Sequence, residues 1–378
     1  MNNQSLCTYV TELRHFFHEN PELSMKEIET SRRICEELER MNISYRRMGE
    51  TGVIAEIVGC QPGKVVALRA DTDALPVQEV TGLPYASRIP GVMHACGHDA
   101  HTAMLLGAAK LLIQNEDKLF GTVRLIFEPG EEVAGAGRML IKSGVLDGVA
   151  TAFAIHVSPE LAVGQVSIES GVRMCGCGFF SATLRGKGGH GSAPDCGVDT
   201  IPAAAAVVSS LQTVVSREVS PREWAVISVG TMQAGTAANI IAAEATLTGT
   251  IRYREKRLKK LLPESVERII RSTAGAYRVE ADVRCGMGLP PVINDETCVH
   301  IARMAAQGSL KLTALPTSTG SDDFAFYTQQ VPGVYAFLGT GGNAPIHSGE
   351  FVIGEAALPL GSNLYANYAL EYLRGDCR

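Results

Sequence analysis

Between Met93 and Leu105 the chain reads MHACGHDAHTAML, which sets His94, Cys96, His98, Asp99 and His101 inside eight residues. Imidazole, thiolate and carboxylate together suit a borderline-soft divalent ion such as zinc, with manganese, cobalt and nickel also accommodated. Cys96 and His98 stand two apart across Gly97, in what reads as a loop that can bend both side chains one way. For this string alone two readings stay open: a metal site, or a buried thiol beside histidines that cap the helix TAMLLGAAKLL.

A second string, EPGEE, ends on Glu131 and Glu132. Adjacent carboxylates repel, so burying both requires a cation or a shared proton. A cation held by Glu132 would leave Glu131 free as a general base for a water whose pKa the ion lowers. The alternative is a solvated acidic loop. His156 closes the apolar run TAFAIHV, and His347 sits in NAPIHSGEF after the run GVYAFLG.

These groups fall where β-rich runs end. VVALRAD runs into Asp71 and Asp73, TVRLIFEPGEE into the paired glutamates, and TAFAIHV into His156. Helical patterns alternate with them, which is the signature of an α/β layer with a mostly parallel sheet. In such sheets ligands bind beyond the carboxyl ends of the strands, so polar groups at several neighbouring ends point to one site. Near Val172 the texture changes to strand-helix-strand-strand-helix-strand, the pattern of a small α+β domain. We expect a discontinuous α/β domain over 1–175 and 290–378, with an α+β insertion over 176–289.

Composition sets outer limits. With 378 residues, 46% hydrophobic and 20% charged, the chain has material for two globular cores. A net charge of −6 argues against a nucleic-acid partner, which calls for a basic patch. No apolar run is long enough to span a membrane, and the start lacks the pattern of a signal peptide. The ten cysteines are scattered, so reduced thiols in a cytoplasm are expected, with CGC at Cys175–Cys177 structural.

Taken in order, RADTDALP, MHACGHDAHTAMLLGAAK, EPGEE, GKGGHGSAP, GTIR and SDDFAFY resemble the M20 metallopeptidase family. The branch they resemble is the amidohydrolase subfamily of aminoacylases, hippurate hydrolases and auxin-conjugate hydrolases. The resemblance covers essentially the whole chain and implies a catalytic domain with two divalent metal ions and an inserted lid domain that dimerises. It implies Cys96, His98, Glu132, His156 and His347 as metal ligands, with Cys96 bridging or nearly so, and Glu131 as the base. Asp73 matches a carboxylate that orients a ligand histidine, whereas Asp71 stands where many relatives carry a histidine, which leaves its role open. His190 of GGHG resembles a histidine that reaches a partner subunit's site to stabilise the oxyanion. Asn239 in TAANIIA and Arg252 in GTIR resemble residues holding the substrate carbonyl and carboxylate.

The implied activity is hydrolysis of the amide of an N-acyl amino acid, in at least a homodimer, with a metallo-dipeptidase or carboxypeptidase as the alternative. EPGEE, NIIA and SDDF depart from the QPAEE, NVIP and SEDF common among relatives, and no proline follows His347 closely. The departures remove no ligand and no base, but they leave the acyl and amino-acid preference unassigned.

Overall fold

The computed structural model describes residues 3–134, 136–342 and 344–374. It divides into unit 1, comprising Met1–Arg173, Ile293–Pro316 and Asp322–Arg378, and unit 2, comprising Met174–Val292 and Thr317–Ser321. The second excursion, Thr317–Ser321, has no counterpart in the sequence pattern. No described helix is long and apolar enough to cross a membrane.

Unit 1 is built on an eight-stranded sheet. Its first six strands are β1 (Tyr45–Met48), β2 (Gly52–Val58), β3 (Gln61–Asp71), β4 (Phe120–Glu128), β5 (Val149–Ser158) and β6 (Gln165–Ser167). Lys311–Leu312 and Gly333–Gly339 complete it, in the order β1-β2-β4-β3-β5-(333–339)-β6-(311–312). The central four, β4, β3, β5 and Gly333–Gly339, run parallel, while β1, β2 and β6 pair antiparallel with their inner neighbours. The central strands carry unbroken buried runs, Val66–Leu68, Leu125–Phe127, Ala152–Ile155 and Val334–Ala336, as strands covered on both faces must.

Helices α1 (Asn3–Glu19), α2 (Ile28–Arg40) and α3 (His98–Ile113) share one core with the helices Glu296–Ala306 and Ala357–Arg374 and with Val66, Leu68 and Phe153. In α1, Leu6, Val10, Leu13 and Phe17 recur at four-three-four spacing and are all buried, which makes a single apolar stripe. α3 is buried on nearly every side.

The chain passes from β3 to β4 on one side and then to β5 on the other, so the strand order reverses between β3 and β5. That reversal opens a crevice at the carboxyl ends. The ladder between the two strands stops at the pair Arg69–Ala154. Beyond it the Ile155 N–H donates to the Tyr365 hydroxyl at 3.0 Å, and Tyr365 donates to the Arg69 carbonyl at 2.8 Å.

Unit 2 has a four-stranded antiparallel sheet in the order Ala225–Ala234, Glu244–Tyr253, Gly176–Arg185, Glu280–Met287. Phe180, Ala182 and Leu184 alternate onto the face covered by the helices Thr200–Thr213 and Leu258–Ala276 and form a separate core with Val207, Leu247 and Val266. A two-stranded ribbon pairs His190 with Ile240.

Candidate metal centre

The side chains at the crevice come from four places in unit 1. Gly97 caps α3 with φ +88°, and a Cβ there would lie 2.4 Å from Val157 Cγ2. Only glycine fits this turn, which carries Cys96 and His98 into one crevice. The helix begins at His98 itself, whereas the sequence pattern placed HACGHDAH ahead of it as a loop. The earlier start follows from local chemistry: Asp99 complements the helix N-terminus, and no proline or β-branched residue interrupts HDAH.

Cys96, His98 and His156 place one donor atom each within 4.8 Å of one another, and so do Cys96, Glu132 and His347. Cys96 belongs to both sets. His98 Nδ1 lies 3.1 Å from Asp73 Oδ1, and His156 Nδ1 lies 2.7 Å from the Val157 carbonyl. With Nδ1 turned to these oxygens, each ring points Nε2 inward, where it can ligate an ion once unprotonated, and His156 Nε2 stands 3.4 Å from Cys96 Sγ. Asp73 also accepts the Glu132 backbone N–H at 3.0 Å, so one carboxylate fixes two of these residues. His347 adopts φ +65°, unusual without glycine, and its N–H is tied to the Ala95 carbonyl at 2.7 Å.

Whether these residues fit a divalent ion can be judged from protein atoms alone. His98 Nε2 and Glu132 Oε1 are buried without a hydrogen-bond partner. Glu132 Oε1 lies 3.3 Å from His347 Nε2 and 4.0 Å from His98 Nε2, outside hydrogen-bond directions. Such buried, unsatisfied atoms cost about 1–3 kcal/mol each, and a cation among them would satisfy several at once. Nitrogen, sulfur and carboxylate donors in one pocket fit the group. A further trio, Asp71, His98 and His101, also has donor atoms within 4.8 Å of one another. There both His101 nitrogens are engaged: Nδ1 stands 2.6 Å from Asp71 Oδ1, and Nε2 accepts the Val157 N–H at 2.9 Å.

Burial and charge shape the protonation of the site. Burial raises the Cys96 thiol, against the pull of His98 and His347. Burial opposes charge on His98, but Asp71, Cys96 and Asp73 outweigh it and hold the ring well above the usual imidazole range. His156 is lowered to about 3, chiefly by burial. Glu131 is raised well above an ordinary carboxyl by burial, then by Asp322, Asp323 and Glu132.

Sequence reasoning passed over the buried ionic network behind Glu131. Arg69 reaches Asp71 at 2.6 Å, Glu128 at 2.7 Å and Asp323 at 2.7 Å, while Asp322 accepts from the Tyr335 hydroxyl at 2.5 Å. The available signal was Arg69 inside the apolar run VVALRAD, since a charge on a central strand must be paired.

The remaining expected residues lie in unit 2. His190 and Asn239 come together there, the Gly191 N–H donating to the Asn239 carbonyl at 2.8 Å. Arg252 lies on Glu244–Tyr253, half-buried, with its guanidinium donating to the Ile251 carbonyl at 3.3 Å.

The fold and site define a class: open α/β proteins that gather metal-capable donors beside a spare carboxylate at the carboxyl edge of the sheet. The chain belongs to peptidase family M20/M25/M40, whose model matches residues 67–371. It is 40% identical over 376 residues to an N-acetylcysteine deacetylase of Bacillus subtilis, covering 99% of each chain. It is also 40% identical over 378 residues to the IAA-amino acid hydrolase ILR1-like 4 of Arabidopsis thaliana, covering 97% of this chain and 86% of that one. Among solved structures, the Bacillus subtilis YXEP protein, described as a dinuclear metal binding peptidase from the M20 family, superposes with a TM-score of 0.89 at 37% identity, covering 98% of this chain and 99% of that one.

Proposed function

We propose that the protein is a metal-dependent hydrolase that cleaves the amide of N-acyl amino acids to a carboxylic acid and a free amino acid. The observation that carries this reading is Cys96 shared between two donor trios, with Glu131 beside them. The deacetylase and the IAA-amino acid hydrolase it resembles support the substrate class by name. Cys96, His98, Glu132, His156 and His347 would hold two divalent ions (zinc, manganese, cobalt or nickel), with Asp73 orienting His98. Ions bound there supply Lewis acidity, lowering the pKa of a water and polarising the substrate carbonyl.

Glu131 takes the proton from that water and passes it to the leaving nitrogen. The Ser192 N–H donates to His190 Nδ1 at 3.2 Å, which leaves the ring proton on Nε2, exposed to solvent. Such a donor can meet the carbonyl oxygen as its charge grows. Asn239 holds the carbonyl, and Arg252 binds the α-carboxylate through its planar fork. In this reading unit 2 is the lid and dimerisation domain, and His190 acts in trans within a homodimer or larger homo-oligomer. The nine cysteines among the described residues are free thiols, which supports a reducing cytoplasm.

The test is amino-acid release by the manganese- or zinc-loaded protein from N-acetyl, N-benzoyl and longer N-acyl amino acids, with dipeptides in the same panel. Release from the acyl compounds that stops on chelation is the expected result. Release from dipeptides alone would replace this reading with a peptidase.

A further inference from the structure

Where β3 and β5 part, two buried amides on β5 lose the partner a parallel strand would have supplied. Leaving them unpaired is expensive, and two side chains from helices take the place of the missing strand. Tyr365 accepts the Ile155 N–H, and His101 accepts the Val157 N–H at 2.9 Å. Because Nε2 of His101 is the acceptor, the ring proton lies on Nδ1, facing Asp71 Oδ1 at 2.6 Å. The other Asp71 oxygen receives Arg69 at 2.6 Å. A continuous buried chain therefore runs Arg69, Asp71, His101, Val157, with all three side chains 2% exposed or less.

Val157 is the residue that aims His156. Its carbonyl accepts His156 Nδ1 at 2.7 Å, while its N–H is held by His101. The His101 and His156 rings meet edge to face, with centroids 4.7 Å apart. We propose that His101 is a positioning residue: accepting from Val157 at Nε2 and anchored by Asp71 at Nδ1, it stands in for the departed strand at Val157 and so fixes the direction in which His156 offers Nε2. This assigns a role to Asp71 as well, as the group that sets the His101 tautomer. The competing role for His101, as a ligand in a trio with Asp71 and His98, has no free nitrogen on its side.

The inference rests on the metal reading above, and cobalt(II) separates the two. Glutamine at position 101 puts an oxygen where Nε2 was, whereas asparagine reaches Asp71 but leaves Val157 unpaired. Wild type should take up cobalt and show a thiolate charge-transfer band and visible d–d bands. His101→Gln should keep those bands and bind within about threefold, while His101→Asn should shift them and bind about 10- to 100-fold more weakly, with a metal-free melting temperature lowered by the unpaired Val157 N–H. His101→Asn with wild-type bands and affinity, or His101→Gln as impaired as His101→Asn, overturns the proposal. A wild type that takes up no cobalt sinks the metal reading instead. The tautomer is then read by ¹⁵N NMR of the histidines in the unmutated protein, whether or not either variant folds. A His101 protonated on Nε2, or on both nitrogens, overturns the proposal independently of any metal.

Discussion

Glu131 has two aspartates at its back, Asp322 and Asp323, and a second glutamate beside it, which keeps its proton affinity high. The two adjacent carboxylates have different company: Glu132 groups with Cys96 and His347, while Glu131, also within reach of His98, groups with Asp322 and Asp323. Glu131→Gln should therefore lower turnover by about 10²- to 10⁴-fold while the protein still retains its metal. Steady-state kinetics alongside metal analysis decides the point, and ordinary turnover in that variant would remove Glu131 from the mechanism. Cys96, His98, Glu131, Glu132 and His156 were legible as candidates because their types are rare together and each sits at a strand end or beside a glycine turn. Arg69 and its acidic partners were not. Their meaning depends on Asp323, which lies 254 residues further along the chain, and no local pattern announces that meeting. His347 was legible only because the other donors lacked a companion.

At the scale of elements, the centre depends on how α1 and α3 are held. Asp99, in the first turn of α3, accepts from Arg14 at 3.1 Å and lies 2.8 Å from His18 Nδ1, while His18 Nε2 faces Glu79 at 3.3 Å. Burial would lower the His18 pKa, but Asp99 and Glu79 outweigh it and raise it from 6.5 to about 9. A raised histidine contributes stability that is fully present below pH 6.5 and is lost as pH rises through about 9. His18→Gln should thus be less stable than wild type in acid, and the gap should shrink by roughly 3 kcal/mol between those limits. Urea unfolding at both ends of that range measures it, and a gap that does not narrow would contradict the charged pairing. Gly97→Ala is a second test at this scale. The added methyl meets Val157 Cγ2 in a left-handed turn, so stability should fall by about 1–3 kcal/mol and metal content with it. Unchanged melting would show that the turn tolerates a side chain. The helices and central strands were legible from period and apolar runs. After Asp322 and Asp323, which are drawn into the buried network, only the short helix Ala325–Thr328 forms.

Over the whole molecule, the donors lie in unit 1 and His190 in unit 2, so the two contributions should be separable. His190→Ala should lower kcat by about 10²- to 10³-fold with full metal content, and a normal kcat would dismiss it as an oxyanion donor. The two-core organisation was legible in the change of texture near Val172. Thr317–Ser321 was not, being too short to carry a period of its own.

The interrupted sheet of unit 1 also orders the events of synthesis. β5 receives its outer neighbour, Gly333–Gly339, only after all of Met174–Val292 has left the ribosome. A nascent chain therefore carries a half-finished sheet whose newest edge is the apolar strand VATAFAIHVS, an invitation to intermolecular pairing. Unit 2, contiguous but for five residues, can fold during that interval. Slowed translation within that stretch should therefore prolong the exposed edge and raise the fraction lost to aggregation, with unit 2 already formed in what is lost.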